Sequence, residues 1–302
     1  MRIAVTGRNG QVVLALQERA SSADVEIVTL ARPELDFARP WTIESALSAL
    51  RPDAVVNAAA YTSVDLAETE PDLARQINAA GAGAVAAAAA SLGIPVVQLS
   101  TDYVFDGTLD RPYCENDATG PVSVYGRTKL EGEQSVASAS DNHVILRTAW
   151  IYSPFGRNFV RTMLMLADNR DEVPVVDDQF GAPTNALDIA DGVIAVVRNL
   201  VDRPDATELR GAFHMTGGGE ASWAEFAEAI FAASAGISGP FARVVPIPAV
   251  SYPTPAKRPA NSRLDNSRLA LIHSVRLPHW RHSAPGCVER LIAQDFQRKD
   301  SA

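Results

Sequence analysis

The chain has 302 residues, 47% of them hydrophobic and 21% charged, with a formal net charge of −9. That length suits one large domain or two small ones, and the apolar fraction excludes a mostly disordered chain. The acidic balance excludes nucleic acid as the main partner, because neutralising its phosphates demands a basic surface.

Residues 2–5 form a short apolar run that stops at Gly7, as expected of a buried strand. Residues 11–20 follow as a helix, 25–30 as a strand, 43–50 as a helix and 54–56 as a strand running into Asn57. Two helices are expected at 67–76 and 79–92, the second ended by Gly93, with Asn78 as its N-cap. Strands at 95–100 and 143–146 complete the regular part. Continuously apolar strands alternating with helices indicate an α/β chain with a parallel sheet covered on both faces. After about Trp150 the pattern loosens, and Pro240, Pro246, Pro248, Pro253, Pro255 and Pro259 exclude one regular element there. That stretch is too apolar for a linker and reads as an ordered, irregular lobe. The polar tail from Gln297 is expected to fray.

No targeting signal is read. The N-terminus enters its glycine turn too soon for a signal-peptide core, and the longest apolar stretch, 82–90, is about half of a membrane span. Two cysteines, Cys114 and Cys287, are too few for a disulfide framework. A cytoplasmic chain without membrane contact is expected. His279 and His282 lack a third ligand close by, so no metal site is assigned.

Three groups of residues carry chemistry. The first is Thr6-Gly7-Arg8-Asn9-Gly10-Gln11-Val12-Val13, between the first strand and the first helix. Glycines there allow a tight turn and bring backbone N–H groups to a pyrophosphate at the helix N-terminus. Val13 stands where the usual fingerprint has a third glycine, and it is expected to weaken or displace a bound cofactor. The second group ends the second strand. Arg32, in place of an acid, can face a 2′-phosphate, which favours NADP(H), and Asp36 and Phe37 can flank the adenine. The third is Tyr125-Gly126-Arg127-Thr128-Lys129. On a helix its tyrosine and lysine share one face, and an ammonium beside a phenol favours the phenolate. Thr101, at the end of an earlier strand, offers a hydroxyl for a carbonyl oxygen.

Together with further motifs, these residues resemble the dTDP-4-dehydrorhamnose reductase family of extended short-chain dehydrogenase/reductases. The shared stretches are Asn57-Ala58-Ala59-Ala60-Tyr61-Thr62 with Asp65 and Glu68, then Ser100-Thr101-Asp102-Tyr103-Val104-Phe105-Asp106-Gly107. Gly132-Glu133, Leu146-Arg147-Thr148-Ala149-Trp150-Ile151-Tyr152, Asp178-Gln179 with Gly181 and Pro183-Thr184, and Arg258-Pro259 follow. The resemblance implies a Rossmann-type doubly wound parallel sheet with a smaller C-terminal substrate-binding lobe. The dinucleotide-binding part is expected at 1–150 with parts of 184–212 and 264–302, and the lobe at 151–183 and 213–263.

It also implies a reaction: NADPH-dependent reduction of the C4 ketone of dTDP-4-dehydrorhamnose, with NADH left open as a second donor. Tyr125 is then the proton donor. Lys129 holds the nicotinamide ribose and lowers the tyrosine pKa, and Thr101 orients the carbonyl. Gly7, Asn9, Gly10, Gln11, Val12, Arg32, Asp36, Phe37, Ala58, Ala59 and Ala60, with Tyr125 and Lys129, are assigned to the cofactor. Asp102, Tyr103, Trp150, Gln179 and Arg258 are assigned to the sugar nucleotide. Tyr103 stands where related dehydratases carry a glutamate that helps eliminate water, which favours plain reduction. Some short-chain reductases use an asparagine near Asn78 to hold a water. The alternatives are another nucleotide-sugar ketoreductase or epimerase, or a non-catalytic NADP-binding regulatory subunit. A homodimer is left open, and no magnesium site carries over.

Overall fold

The computed structural model describes residues 1–299. Five strands lie where the apolar runs predict them: β1 (Arg2–Thr6), β2 (Glu26–Leu30), β3 (Ala54–Asn57), β4 (Val96–Thr101) and β5 (His143–Thr148). A sixth, Gly211–His214, closes the sheet beside β5, and the order across it is Gly211–His214, β5, β4, β3, β1, β2. Every pairing in this sheet is parallel.

Alternate side chains feed opposite layers, as the two-residue strand period requires. Ile3 and Val5 enter one core, with helix α1 (Gln11–Ala20) and the helix Ala186–Asp202. Ala4 and Val55 enter the other, with α2 (Trp41–Leu50) and the helix Ala82–Ser91. The chain leaves β1 toward β2 on one side, and β3 begins the other side. The crevice therefore opens above the carboxyl ends of β1 and β3, where this layout places ligands.

A third core gathers Val160, Met163, Leu164, Phe226, Ile230 and Trp280, drawn from the helices Phe159–Ala167, Trp223–Ala235 and Trp280–Lys299. The helix Trp223–Ala235 starts at a capping box, Ser222 with Glu225. The strands Glu172–Val176 and Arg243–Ile247 pair in this lobe, so the proline-rich stretch contains one regular strand. Phe213 and Met215 belong to the sheet's core, although 213 is the expected start of the lobe. Leu269 and Val275 also join the sheet's core, whereas Trp280 to Ile292 join the lobe.

One expected boundary fails. The helices expected at 67–76 and 79–92 are instead a short helix Val64–Ala67 and a continuous one from Pro71 to Ser91, whose middle, Gln76–Gly81, is a π-turn. Asn78 is therefore no N-cap. It lies inside the π-turn, 2% exposed. Its Oδ1 accepts the Tyr61 N–H at 2.8 Å, and its Nδ2 donates to Tyr61 O and Thr128 Oγ1. The last helix passes Gln297 and reaches Lys299, and the rest of the polar tail lies outside the described residues. Among the described residues no helix is long and apolar enough to cross a membrane.

Candidate active site

A cleft of about 790 Å³ opens at the carboxyl ends of the strands and is walled on its far side by the lobe. Its first wall is the glycine turn. Gly7 has φ +99°, a conformation that a side chain would strain, and its N–H donates to Leu30 O at 2.8 Å. α1 starts at Gln11 with no side-chain cap and no acid in its first turn. The N–H groups of Gln11, Val12 and Val13 therefore stay free of helical carbonyls, and these residues line the cleft, as an anion site at a helix N-terminus requires. Val13 is 1% exposed, with Cγ2 3.4 Å from where a Cβ on Gly7 would lie. It packs the back of the turn into the main core.

A buried row of hydrogen bonds crosses three neighbouring strands. Thr6 Oγ1 donates to Asn57 Oδ1, Asn57 Nδ2 to Gln98 Oε1 at 2.7 Å, and Gln98 Nε2 to Leu99 O at 2.7 Å. The same carbonyl accepts from Lys129 Nζ at 2.6 Å. The lysine is thus fixed to the sheet as well as to its helix, Val124–Ala139. Burial pushes the Lys129 pKa down to about 8, against the nearby Glu133 charge, which raises it.

Thr101, Asp102, Tyr103, Tyr125 and Lys129 all line this cleft. Thr101 Oγ1 donates to Asp102 Oδ1 at 2.9 Å and accepts the Tyr103 N–H at 3.2 Å. Asp102 is 4% exposed, and its Oδ2 has no hydrogen-bond partner. Burial raises its pKa to about 6, with the Ser262 and Thr101 hydroxyls opposing the rise. Tyr125 meets Tyr103 edge to face at 5.6 Å. Burial and then the Asp102 charge raise the Tyr125 pKa, and the Thr101 hydroxyl lowers it. Against the expected lowering by Lys129, the net shift of the phenol is upward, with burial its largest cause.

Glycine permits the close fit here. A Cβ on Gly126 would lie 2.2 Å from Tyr103 O, and one on Gly132 would lie 2.1 Å from Asn78 O. Beneath the site, Glu133 accepts from Ser100 Oγ, from Arg147 Nε at 3.0 Å and from Arg147 Nη2 at 2.7 Å. This nearly fully buried ion pair ties β4 and β5 to the Tyr125 helix.

The lobe supplies an aromatic wall. Trp150 has φ +49° and stacks on Trp223, centroids 3.5 Å apart and planes 8° apart. Its indole lies flat enough on Gly181 that a Cβ there would come within 2.4 Å of Cε2. Phe159 leans on Trp223 at 4.6 Å. Arg258 also lines the cleft, and its guanidinium grips Asp65 through Nη1 at 3.1 Å and Nη2 at 2.9 Å.

The remaining sequence-predicted residues divide. Asn9, Gly10, Gln11, Val12, Ala58 and Ala60 line the cleft. Gly7 and Ala59 stand behind that lining, with the Ala59 N–H donating to Thr6 Oγ1 at 3.0 Å. Arg32 is exposed at the end of β2, outside the cleft lining. Asp36 turns to its own loop, accepting from Ala38 N and Arg39 Nε, and Phe37 packs on Gly81. Gln179 lies outside the lining. Sequence reasoning missed Trp223, Phe159, Arg157 and Thr148, whose buried Oγ1 has no partner. The first three sit in the lobe, where no motif marks them.

Known proteins match over nearly the whole chain. A family model described as the RmlD substrate binding domain matches residues 1–293. A dTDP-4-dehydrorhamnose reductase of Sinorhizobium fredii is 52% identical, over 97% of this chain and 99% of that one. One of Burkholderia thailandensis is 45% identical, over 97% and 100%. The crystal structure of a Clostridium acetobutylicum dTDP-4-dehydrorhamnose reductase has 39% identity and a TM-score of 0.87, covering 96% of this chain and 99% of that one. The Bacillus anthracis reductase, solved in complex with NADP, has 34% identity and a TM-score of 0.86, covering 97% and 99%. A Thermus thermophilus UDP-glucose 4-epimerase, 19% identical with a TM-score of 0.77, shares the fold. With the parallel sheet, the glycine turn and the Tyr125–Lys129 helix converging on one cleft, these matches place the chain in the dTDP-4-dehydrorhamnose reductase family.

Proposed function

We propose that this chain reduces the C4 ketone of dTDP-4-dehydrorhamnose to dTDP-L-rhamnose at the expense of NADPH. The observation that carries the reading is the convergence of Thr101, Tyr125 and Lys129 in one cleft with the uncapped α1 N-terminus. The donor set fits a dinucleotide: free amides for a diphosphate, the unpartnered Thr148 Oγ1, and a fixed lysine for a ribose. NADPH, when bound, supplies the hydride that reaches C4. Arg32, with no acid in its place at the strand end, favours the 2′-phosphate form.

The chain's own residues manage the other half of the reaction. Burial and the Asp102 charge keep Tyr125 protonated at rest, so the phenol arrives with the proton that the new alkoxide oxygen needs. Thr101 turns its hydroxyl from Asp102 to the ketone, which polarises the carbonyl and fixes its orientation. Lys129, held at Leu99 O, places a positive charge where the phenolate is left behind. The stacked Trp150 and Trp223 give the sugar nucleotide an apolar wall that excludes water.

The test is NADPH oxidation with dTDP-4-dehydrorhamnose, with identification of the product, for the wild type and Tyr125→Phe. The variant is expected to bind NADP⁺ normally and to lose at least about 100-fold in kcat. Unchanged turnover would remove Tyr125 from the role of proton donor. An epimerase is set apart because it consumes no NADPH. A cytoplasmic location belongs to the same reading, tested by cell fractionation, and sedimentation decides between a monomer and a homodimer.

A further inference from the structure

Two diphosphates have to enter a cleft of a chain whose net charge is −9. The α1 amides account for one of them. Three cations line the cleft: Lys129, Arg258 and Arg157. Lys129 is 4% exposed, with its ammonium on Leu99 O. Arg258 is committed to Asp65 through two hydrogen bonds and to Ala256 O through a third. Arg157 is exposed and, among the described residues, takes part in no hydrogen bond or ion pair.

Its backbone, by contrast, is held on both sides. Ser153 Oγ donates to Gln11 Oε1 at 2.7 Å, and Gly156, at φ +62°, passes beside the Gln11 side chain. Asn158 caps the following helix by accepting the Arg161 N–H, and its Nδ2 donates to Ser153 O and Phe155 O. A fixed turn thus holds a free guanidinium beside the N-terminus of α1. The only acid in the cleft lining is Asp102, which burial keeps from solvent. An unpaired guanidinium on an otherwise neutral rim concentrates attraction on an entering anion.

We propose that Arg157 is the residue that meets a nucleoside diphosphate in this cleft, a reading that rests on the nucleotide-sugar reductase function above. The shared chemistry is a diphosphate, carried by the cofactor or by the sugar nucleotide. The experiment takes full-length Arg157→Gln and Arg157→Lys beside wild type. It titrates each by calorimetry with dTDP alone and with NADP⁺ alone, at low and high salt.

Arg157→Gln is expected to weaken one of the two ligands by about fivefold. That loss should shrink as salt rises, and Arg157→Lys should recover part of it. A loss confined to dTDP assigns the residue to the sugar nucleotide, and a loss confined to NADP⁺ assigns it to the cofactor. Unchanged dissociation constants for both ligands, with wild type binding normally, overturn the proposal. A wild-type chain that binds neither ligand overturns the reductase reading, and this proposal with it.

Discussion

Glu133 supports the site from below, and replacing it by glutamine isolates its charge. The carboxylate holds Ser100, the residue before Thr101, and grips Arg147. Its side chain is 5% exposed and that of Arg147 is 7% exposed, so Glu133→Gln leaves an uncompensated buried guanidinium. Such a loss costs about 3–5 kcal/mol. With an unfolding entropy of about 2.1 cal/mol/K per residue, the chain loses about 0.6 kcal/mol per degree, so the melting temperature should fall by about 5–8 °C.

A second effect reaches the chemistry. Burial pushes Lys129 down to about 8, and the Glu133 charge, one helical turn away, holds it up. A lysine is charged below its pKa. Without Glu133 that pKa falls further, and activity that depends on the ammonium is lost at lower pH. Thermal melts and the pH profile of kcat/KM should report both shifts, with the alkaline limb displaced toward neutrality. A variant that melts with wild type and keeps the same alkaline limb would refute both the buried-pair energetics and the coupling to Lys129.

Three further outcomes follow from neighbouring residues. Gly126→Ala puts a Cβ 2.2 Å from Tyr103 O, a backbone atom that cannot simply swing away. It should cost about 1–3 kcal/mol in urea denaturation and lower kcat by separating Tyr103 from Tyr125, and wild-type values in both assays would count against that. Asp102, raised by burial from 3.8 to about 6, opposes folding in full above pH 6, and its contribution to wild-type stability should rise as pH falls from about 6 to about 4. Asp102→Asn should erase that gain and be the more stable protein at pH 8; denaturation curves with the same pH dependence would show the carboxyl is not buried as described. His214 is 0% exposed with neither ring nitrogen partnered, and burial followed by the Arg147 charge pushes it down to about 3. Folded His214 resists protonation, so its contribution is complete above about 6.5 and is lost on acidification by up to about 1.4 kcal/mol per pH unit. His214→Leu should flatten this acid slope in denaturation at pH 7, 6 and 5, and an unaltered slope would exclude His214 as its source.

Legibility in the sequence followed local constraint. β1, β3, β4 and β5 are buried on both faces, so their apolar runs announced them, and the glycine turn and Tyr125 helix followed from spacing. Gly211–His214 escaped because an edge strand of four residues carries little pattern. The π-turn escaped because an alanine-rich stretch is equally content in either winding, and only the contacts of Asn78 with Tyr61 and Thr128 decide it. Trp223, Phe159 and Arg157 reach the cleft from separate segments of the lobe, so no linear spacing relates them. Phe37 illustrates the opposite error: an aromatic placed well for adenine by sequence is occupied in covering Gly81.

The π-turn at Gln76–Gly81 acts as a phase shifter in an otherwise regular rod. Upstream of it, Arg75 reaches across to Glu131; downstream, Val85, Ala86 and Ala89 seal the sheet. These two faces point correctly only because the turn holds one residue more than an α-helix would. Deleting a single residue there would let the helix wind without interruption and with every internal hydrogen bond intact. It would also rotate one half against the other by about 100°, carrying either the sheet-sealing alanines or the Asn78 contacts out of register. The chain is thus more tolerant of many substitutions in this helix than of a change in its length.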